Sequence, residues 1–385
     1  MRFYSIKFSP AAGEEIPKVL TEGKIDYTLF TSHPIDAQGN FSYNPGCPEV
    51  SFEVLTAWAH MITSPFHLQI MNIPAELLQY AKMYNNLICE ISAGFQPGNN
   101  YGGMLPLEVG PSSHAGVIAT GYVQNCFGNW LGTNLVMDFL IYPSPMGSPS
   151  LEVSGNDGFA SPQNFTFSWA YDANGYYNPL EQELNTWFKE KFNIEVKGTL
   201  NPKLAPPPAG IKLNYTVFDK FAESIRAYSV QCIDPANSDA FRNGLGNFQG
   251  YRGVSMVYNF ASRTIFVWDG TATGEIEGIQ LQYSDFIGQP TWTSSAGTVQ
   301  SVHPMRNDFV LAAPVTYPKQ LPQIQSTQYA ATGNFAILNA SGETLQIQMV
   351  RHVGRYRDTS PEAWATFLNA GPAVRYNPSP PAEEV

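Results

Sequence analysis

Apolar residues recur along this chain at two different periods, and the change of period divides it. To about residue 145 the pattern is alternation, or short apolar runs bounded by turn formers, which predicts strands. Met1 to Phe8 alternates. Leu68–Met71 leads into Pro74–Tyr80, a short helix opened by proline at its first position. Leu87–Ala93 predicts a strand ended by Gly94. Gly116–Val123 and Asn134–Tyr142 predict two more, with Phe127–Trp130 and Leu131–Thr133 as the turn between them. Several strands and one short helix suggest a small barrel or sandwich.

Residues 143–162 are rich in Pro and Gly (Pro143, Gly147, Pro149, Gly155, Gly158, Pro162) and read as a linker. Beyond it the period becomes helical. Asn178 is the expected N-cap, Pro179 the first helical residue, and Glu181 the acid reaching back. Leu180, Leu184, Trp187, Phe188 and Phe192 mark one apolar face, and Lys189 and Lys191 suit the negative end of the helix dipole. Pro206–Pro208 is a stiff break. A second helix is expected from about Thr216, with Phe218, Phe221, Ile225 and Tyr228 on one face. Gly253–Tyr258 and Thr264–Trp268 read as a strand pair, so the middle is α+β. From about residue 273 the strand pattern returns at Ile276–Leu281, Thr298–Val302, Asp308–Leu311, Asn334–Leu338 and Thr344–Val350. The tail, Tyr376–Val385, is Pro-rich and acidic.

Composition narrows the function. Only 14% of the 385 residues are charged, against roughly 25% in an ordinary soluble domain, while 13% are aromatic. That excludes intrinsic disorder and a long coiled coil. Lys plus Arg total 21 against 32 acids, a net charge of −11, which speaks against a nucleic-acid binder. No apolar run of signal-peptide or membrane-span length is present, so neither secretion nor a membrane is expected. Cys47, Cys89, Cys126 and Cys232 are widely spaced and read as buried thiols in a reducing compartment.

No constellation of residues carries chemistry. The six histidines are not spaced for a metal, so no metal and no cofactor are expected. There is no GxSxG elbow and no phosphate-binding loop. Gly244–Gly250 comes near a dinucleotide fingerprint, but its spacing is one residue too long and no helix follows. Asp269, Asp285 and Asp308, each near a strand end, are the candidates should a glycosidase pair exist. His352, between Arg351 and Arg355, reads as an interface or core polar residue whose neighbouring cations disfavour protonation.

Three stretches carry a resemblance. One runs from Ile73-Pro74 through Ile88–Phe95 and Met104–Leu107 to Gly121–Val123 and Cys126–Leu135. Another is Asp285–Trp292 with Met305–Asp308. The last is Val350–Arg357 with Trp364. Together the chain resembles the baseplate hub proteins of tailed bacteriophages, a family shared with contractile injection machines. The resemblance covers residues from about 65 to 370 in patches. It implies an α+β, mainly β fold: a β-barrel domain over residues 1–147, an α+β middle over 148–272 and a second β-barrel over 273–372. The Pro-rich, acidic composition of residues 373–385 marks a flexible tail.

The same resemblance implies a structural virion protein and no enzyme. It would be a homotrimer joining a sixfold tail tube protein to a threefold spike or tip protein, beside the tape-measure protein and other baseplate proteins. It would be assembled in the host cytoplasm and carried in the virion tail, with DNA passing through the lumen without sequence-specific contact. The net charge of −11 per chain, taken by itself, predicts that this lumen is acidic and repels DNA. Low charge and many rings fit a surface that neighbouring subunits cover. The expected interface residues are the basic cluster Arg351, His352, Arg355 and Arg357, pairing with carboxylates of a neighbouring subunit. Phe127, Trp130 and Trp292 are expected as packed rings in or beside the barrels. Two alternatives stand beside this reading: a β-rich carbohydrate-binding protein or glycosidase, and another tail tube or adaptor component.

Overall fold

The computed structural model describes residues 1–10, 15–21, 26–34, 42–57, 65–95, 114–143, 165–198, 200, 204–215, 218–229, 253–259, 262–269, 278–293, 298–311, 313–318, 325–326 and 345–372. The first part of the chain gives β1 (Arg2–Ser9), β2 (Leu29–Thr31), β3 (Glu49–Ala57), β4 (Phe66–Met71), the short helix α1 (Ala75–Leu78), β5 (Ile88–Phe95), β6 (Gly116–Leu131) and β7 (Asn134–Tyr142). The middle gives β8 (Phe165–Trp169), α2 (Leu180–Phe192), β9 (Glu195–Lys197), β10 (Ile211–Tyr215), α3 (Phe218–Ser229), β11 (Ser255–Asn259) and β12 (Thr264–Trp268). The last part gives β13 (Ile279–Gln280), β14 (Thr291–Thr293), β15 (Thr298–Pro304), β16 (Pro314–Thr316), β17 (Gln325–Ser326), β18 (Leu345–Arg355) and β19 (Trp364–Pro372). The fold is mainly β with an α+β middle, as the change of period predicts.

The first and last parts share one sheet of fourteen strands. Its main path runs β17-β14-β15-β19-β18-β3-β4-β7-β6-β5-β1-β2, with β13 and β16 attached beside β18. Among the described residues this path stays open; the pairing does not close into two barrels. The seam between the two parts is β3 against β18, antiparallel from Met349↔Ala57 to Arg355↔Ser51. The long strand β18 serves both neighbourhoods. Its start pairs with β16 and its end with β3, while β19 lies along its other edge.

Alternation sets which side chains go inward. Val50, Phe52 and Val54 of β3 are buried, as are Leu68 and Ile70 of β4, while Ser51, Glu53 and Leu55 face out. The core at the seam is tight. The Phe52 and Trp364 rings meet edge-on at 5.5 Å, and Trp364 Nε1 donates to Gly94 O at 2.9 Å. Gly354 lies against the Phe52 ring, where an added Cβ would come within 2.2 Å of a ring carbon. Arg2 ties the N-terminal strand to the turn after β18, donating to the carbonyls of Arg355 at 3.0 Å and Tyr356 at 3.1 Å.

In the middle part, β8 and β10 form a two-stranded sheet, and β9, β12 and β11 a three-stranded one. Leu180, Leu184 and Phe188 of α2 are buried, with Phe218, Phe221 and Ile225 of α3. Trp187 stacks on Phe221 at 5.2 Å, and Phe167 meets Phe221 at 5.5 Å, so the two helices grip β8 through rings.

Several local expectations change. β6 continues through Phe127–Trp130 to Leu131, so those residues are strand and the turn is only Gly132-Thr133. Their half-polar composition masked the strand. Pro179, in an extended conformation, caps α2; Asn178 turns instead to Glu183, donating at 2.6 Å. α3 is described from Phe218. Of the strand expected over Ile276–Leu281 the described residues are 278–281, in which Ile279–Gln280 form a strand; Asp308–Leu311 is not a strand. The reason lies in Asp308, whose carboxylate binds its neighbour Arg306 instead of pointing away from a ladder. Cys47, Cys89 and Cys126 are buried free thiols. Cys232, Gly244–Gly250, Asn334–Leu338, the tail from 373, and all of the 143–162 linker but Pro143 lie outside the described residues.

Candidate functional site

One polar cleft and one continuous surface merit description. The cleft, of about 660 Å³, lies beside β13 and the turn Tyr283–Asp285 and is floored by Arg306. Arg306 is only 5% exposed. It donates from Nε to Asp308 Oδ1 at 2.6 Å and from Nη2 to Oδ2 at 2.5 Å, a bidentate pair. Its Nη1 lies 3.3 Å from Asp285 Oδ1, and its guanidinium sits 4.4 Å above the Phe309 ring. Asp285 Oδ2 accepts the Gln282 backbone N–H at 2.7 Å. His114 Nε2 stands 3.7 Å from Asp308 at the cleft wall.

This arrangement tests the glycosidase alternative. Such an enzyme needs one carboxylic acid kept protonated opposite a carboxylate. Here both acids share one guanidinium. Burial pushes the Asp308 carboxyl up, but the hydrogen bonds and charge of Arg306, with His114, outweigh it and hold the group below its ordinary value. An acid held ionised cannot donate a proton to a leaving group. Asp269, the remaining candidate, is buried after β12. Among the described residues no group of three or more His, Cys, Asp and Glu is placed to hold a metal ion, and no helix is long and apolar enough to cross a membrane.

Two buried histidines flank the same region. His303 of β15 bonds through Nδ1 to Asp285 O at 2.7 Å and through Nε2 to Ser301 Oγ at 2.8 Å, between the Phe286 and Phe309 rings. Burial lowers its pKa to about 3, with Arg306 adding to the effect and the Asp285 carbonyl opposing it. His352 of β18 bonds Thr366 Oγ1 at 3.0 Å, and burial lowers its pKa to about 4. Its low affinity for a proton thus comes from burial, with Asp308 acting in the opposite sense, and not from Arg351 and Arg355 beside it in sequence.

The pleat of β18 splits the expected basic cluster. His352 points into the core, and Arg351 and Arg355 point out. Arg351 Nε binds Glu53 Oε1 at 2.7 Å across the seam and lies 5.3 Å over the Phe367 ring. Arg355 approaches Asp358 at 3.8 Å, and Arg357 donates to Cys47 O at 2.9 Å. Each of the three cations therefore has a partner within the chain.

The outward face to which Arg351 belongs crosses seven neighbouring strands, β15-β19-β18-β3-β4-β7-β6. The register aligns Leu55, Arg351, Phe367 and Val302 in one cross-strand row, and Gln69, Asp138 and Phe127 in another. Charges within it are matched at two places: Glu53 by Arg351, and Asp138 by the side-chain amides of Gln69 (2.6 Å) and Asn129.

At one end of this face the β6–β7 hairpin carries its rings into solvent. Trp130 is 76% exposed, Leu131 58% and Phe127 50%. Phe127 shares the outward face with Asp138, its cross-strand partner. Trp130 is on the opposite face, the one on which Gly128 meets Leu78 of α1. Its Nε1 donates to Gly132 O at 2.8 Å, fixing the ring over the turn. Phe127 and Trp130 are thus exposed and not packed as core rings. Trp292 is placed by its backbone, in β14 opposite Val299. Sequence reasoning missed Arg306, His114, Glu53 and Leu131 as site residues. Arg306 and Leu131 stand inside the resemblance stretches, but nothing in sequence pairs Glu53 with a residue nearly the length of the chain away.

No family model matches the chain, and no curated protein matches it. Solved structures similar in fold include the 43 kDa tail protein of prophage MuSo2 from Shewanella oneidensis, at 8% identity over 97% of each chain with a TM-score of 0.43. The tail protein from Neisseria meningitidis MC58 is similar at 8% identity over 96% of each chain, with a TM-score of 0.40. The E. coli c3393 protein, a component of the type VI secretion system with structural similarity to T4 bacteriophage tail proteins gp27 and gp5, is similar at 10% identity, covering 88% of this chain and 74% of its own, with a TM-score of 0.36.

Proposed function

We propose that the chain is a structural, non-enzymatic component of a phage tail: the homotrimeric central hub of a baseplate, joining a sixfold tail tube to a threefold spike or tip. The observation that carries the proposal is the seam. Strands from the first and last parts of the chain build one sheet through β3 and β18, with the α+β middle between them in sequence. That is the β, α+β, β plan implied by the resemblance of the stretches around Cys126–Leu135, Asp285–Trp292 and Val350–Arg357. In this reading residues 1–147 and 273–372 are the two β domains whose three copies present six similar units to the tube. Residues 148–272 are the insertion between them. The broad outward sheet face with matched charges and the exposed apolar hairpin support a chain that other chains cover. The acid-locking guanidinium of Arg306 is a structural clip in this reading.

Light scattering on the purified chain tests it. The expected mass is about three times 42.5 kDa, with threefold particles in negative stain. Sixfold or twelvefold rings would assign the chain to a tube or adaptor instead. A strict monomer at high concentration would remove the hub reading.

A further inference from the structure

Resting on that trimeric reading, we infer that the β6–β7 tip of one copy seats on the outward sheet face of the next, around Leu55 and Phe367, in a head-to-tail contact that closes a ring. The tip bears Trp130 on one side and Phe127 on the other, with Leu131 at its end. A projection apolar on both sides loses its water only when it is enclosed, so it acts as an inserted knob and not as one wall of a flat contact.

Charge commits the occupant to a second copy of this chain. Each copy carries a net −11, so copies repel one another over most of their surfaces. The stretch Gly116–Met137, from which the tip is made, contains no Asp, Glu, Lys or Arg. On the receiving face Arg351 and Glu53 neutralise each other, and Leu55 and Phe367 lie on either side of Arg351. These are surfaces that like-charged copies can bring together without burying an unpaired charge. The face is also large enough. Seven strands about 4.8 Å apart, each about 20–30 Å long, span on the order of 800 Å², the area one partner contributes to a standard stable interface. Tip and receiving row stand on β6 and β18, four strand positions apart in the same sheet, so each copy offers both halves of the contact. A contact between two different patches is heterologous, and it forms a ring when the rotation closes.

The test is light scattering of the full chain, alone and in mixtures. Wild type is expected near three times 42.5 kDa. The Trp130→Glu/Leu131→Glu chain and the Leu55→Glu chain are each expected at the mass of one chain. An equimolar mixture of the two variants should recover the mass of two chains and no more. The intact tip of the Leu55→Glu chain can seat on the intact face of its partner, but the ring cannot close. Circular dichroism checks that each variant folds, and Trp130→Ser and Leu55→Gln replace any that does not. A folded variant that keeps the wild-type mass, or a mixture that stays at one chain, overturns the inference while leaving the trimer standing. A wild type that is itself monomeric overturns the trimeric reading as well.

Discussion

Gly354 sits where a methyl group has no room. A Cβ there would run into the ring of its cross-strand partner Phe52, and the ring is itself held by Trp364. Gly354→Ala should therefore force the ring off its seat and destabilise the fold by about 1–3 kcal/mol, read as a lower denaturant midpoint. In sequence the glycine stands out only as part of the resemblance stretch Val350–Arg357; its reason, a ring from residue 52, is a tertiary fact. The two buried histidines give a second prediction at this scale. In the unfolded chain each takes up a proton near pH 6.5, while the folded values are about 3 for His303 and about 4 for His352. Above pH 6.5 both states are neutral and nothing is lost. As the pH falls below 6.5 the unfolded state alone binds protons, so stability declines by about 1.4 kcal/mol per pH unit for each histidine. That decline levels off for His352 below about pH 4 and for His303 below about pH 3. Melting temperatures should hold level from pH 7.5 to about 6.5 and then fall steadily to pH 4.5, and His352→Gln should flatten that fall.

Elements that are local in sequence were the most legible. α2, α3, β7 and the β11–β12 hairpin follow from period and turn chemistry alone. What failed were places where a side chain had a better partner than its expected one. Asn178 leaves the cap for Glu183, and Asp308 abandons a strand pattern for Arg306. The Arg306 clip ties the Tyr283–Asp285 turn to the segment after β15. Arg306→Met removes the cation and leaves two partly buried carboxylates facing each other. A loss of about 3–5 kcal/mol is expected from the broken buried pairs. The Arg306→Met/Asp308→Asn double variant should recover part of it. Equilibrium unfolding of both variants measures the difference. The β6–β7 tip behaves oppositely. Trp130→Ser touches no core, so its unfolding free energy should lie within about 0.5 kcal/mol of that of Leu55→Gln, which also separates the copies.

For the whole molecule, the order β, α+β, β was readable, but the joining of its ends was not. No periodicity announces that β3 and β18 are neighbours. They lie at opposite ends of the chain, and each pattern would look the same with any partner. The joined sheet makes the two β parts one cooperative unit. Val353→Pro, where β18 is flanked by both β3 and β19, removes a ladder donor from a central strand. It should unfold the first and last parts together, seen as loss of the strand signal in circular dichroism well beyond what eleven residues of β18 contribute.

The same seam sets a timetable for synthesis. Glu53 and its partner Arg351 are 298 residues apart. At about 5–20 residues per second, β3 leaves the ribosome about 15–60 s before β18 exists to cover its edge. Throughout that interval a strand carrying Val50, Phe52 and Val54 has an open ladder on one side. Nascent chains of this protein thus keep an adhesive edge from the emergence of β3 until β18 arrives, and a chaperone that shields β3 acts through most of translation.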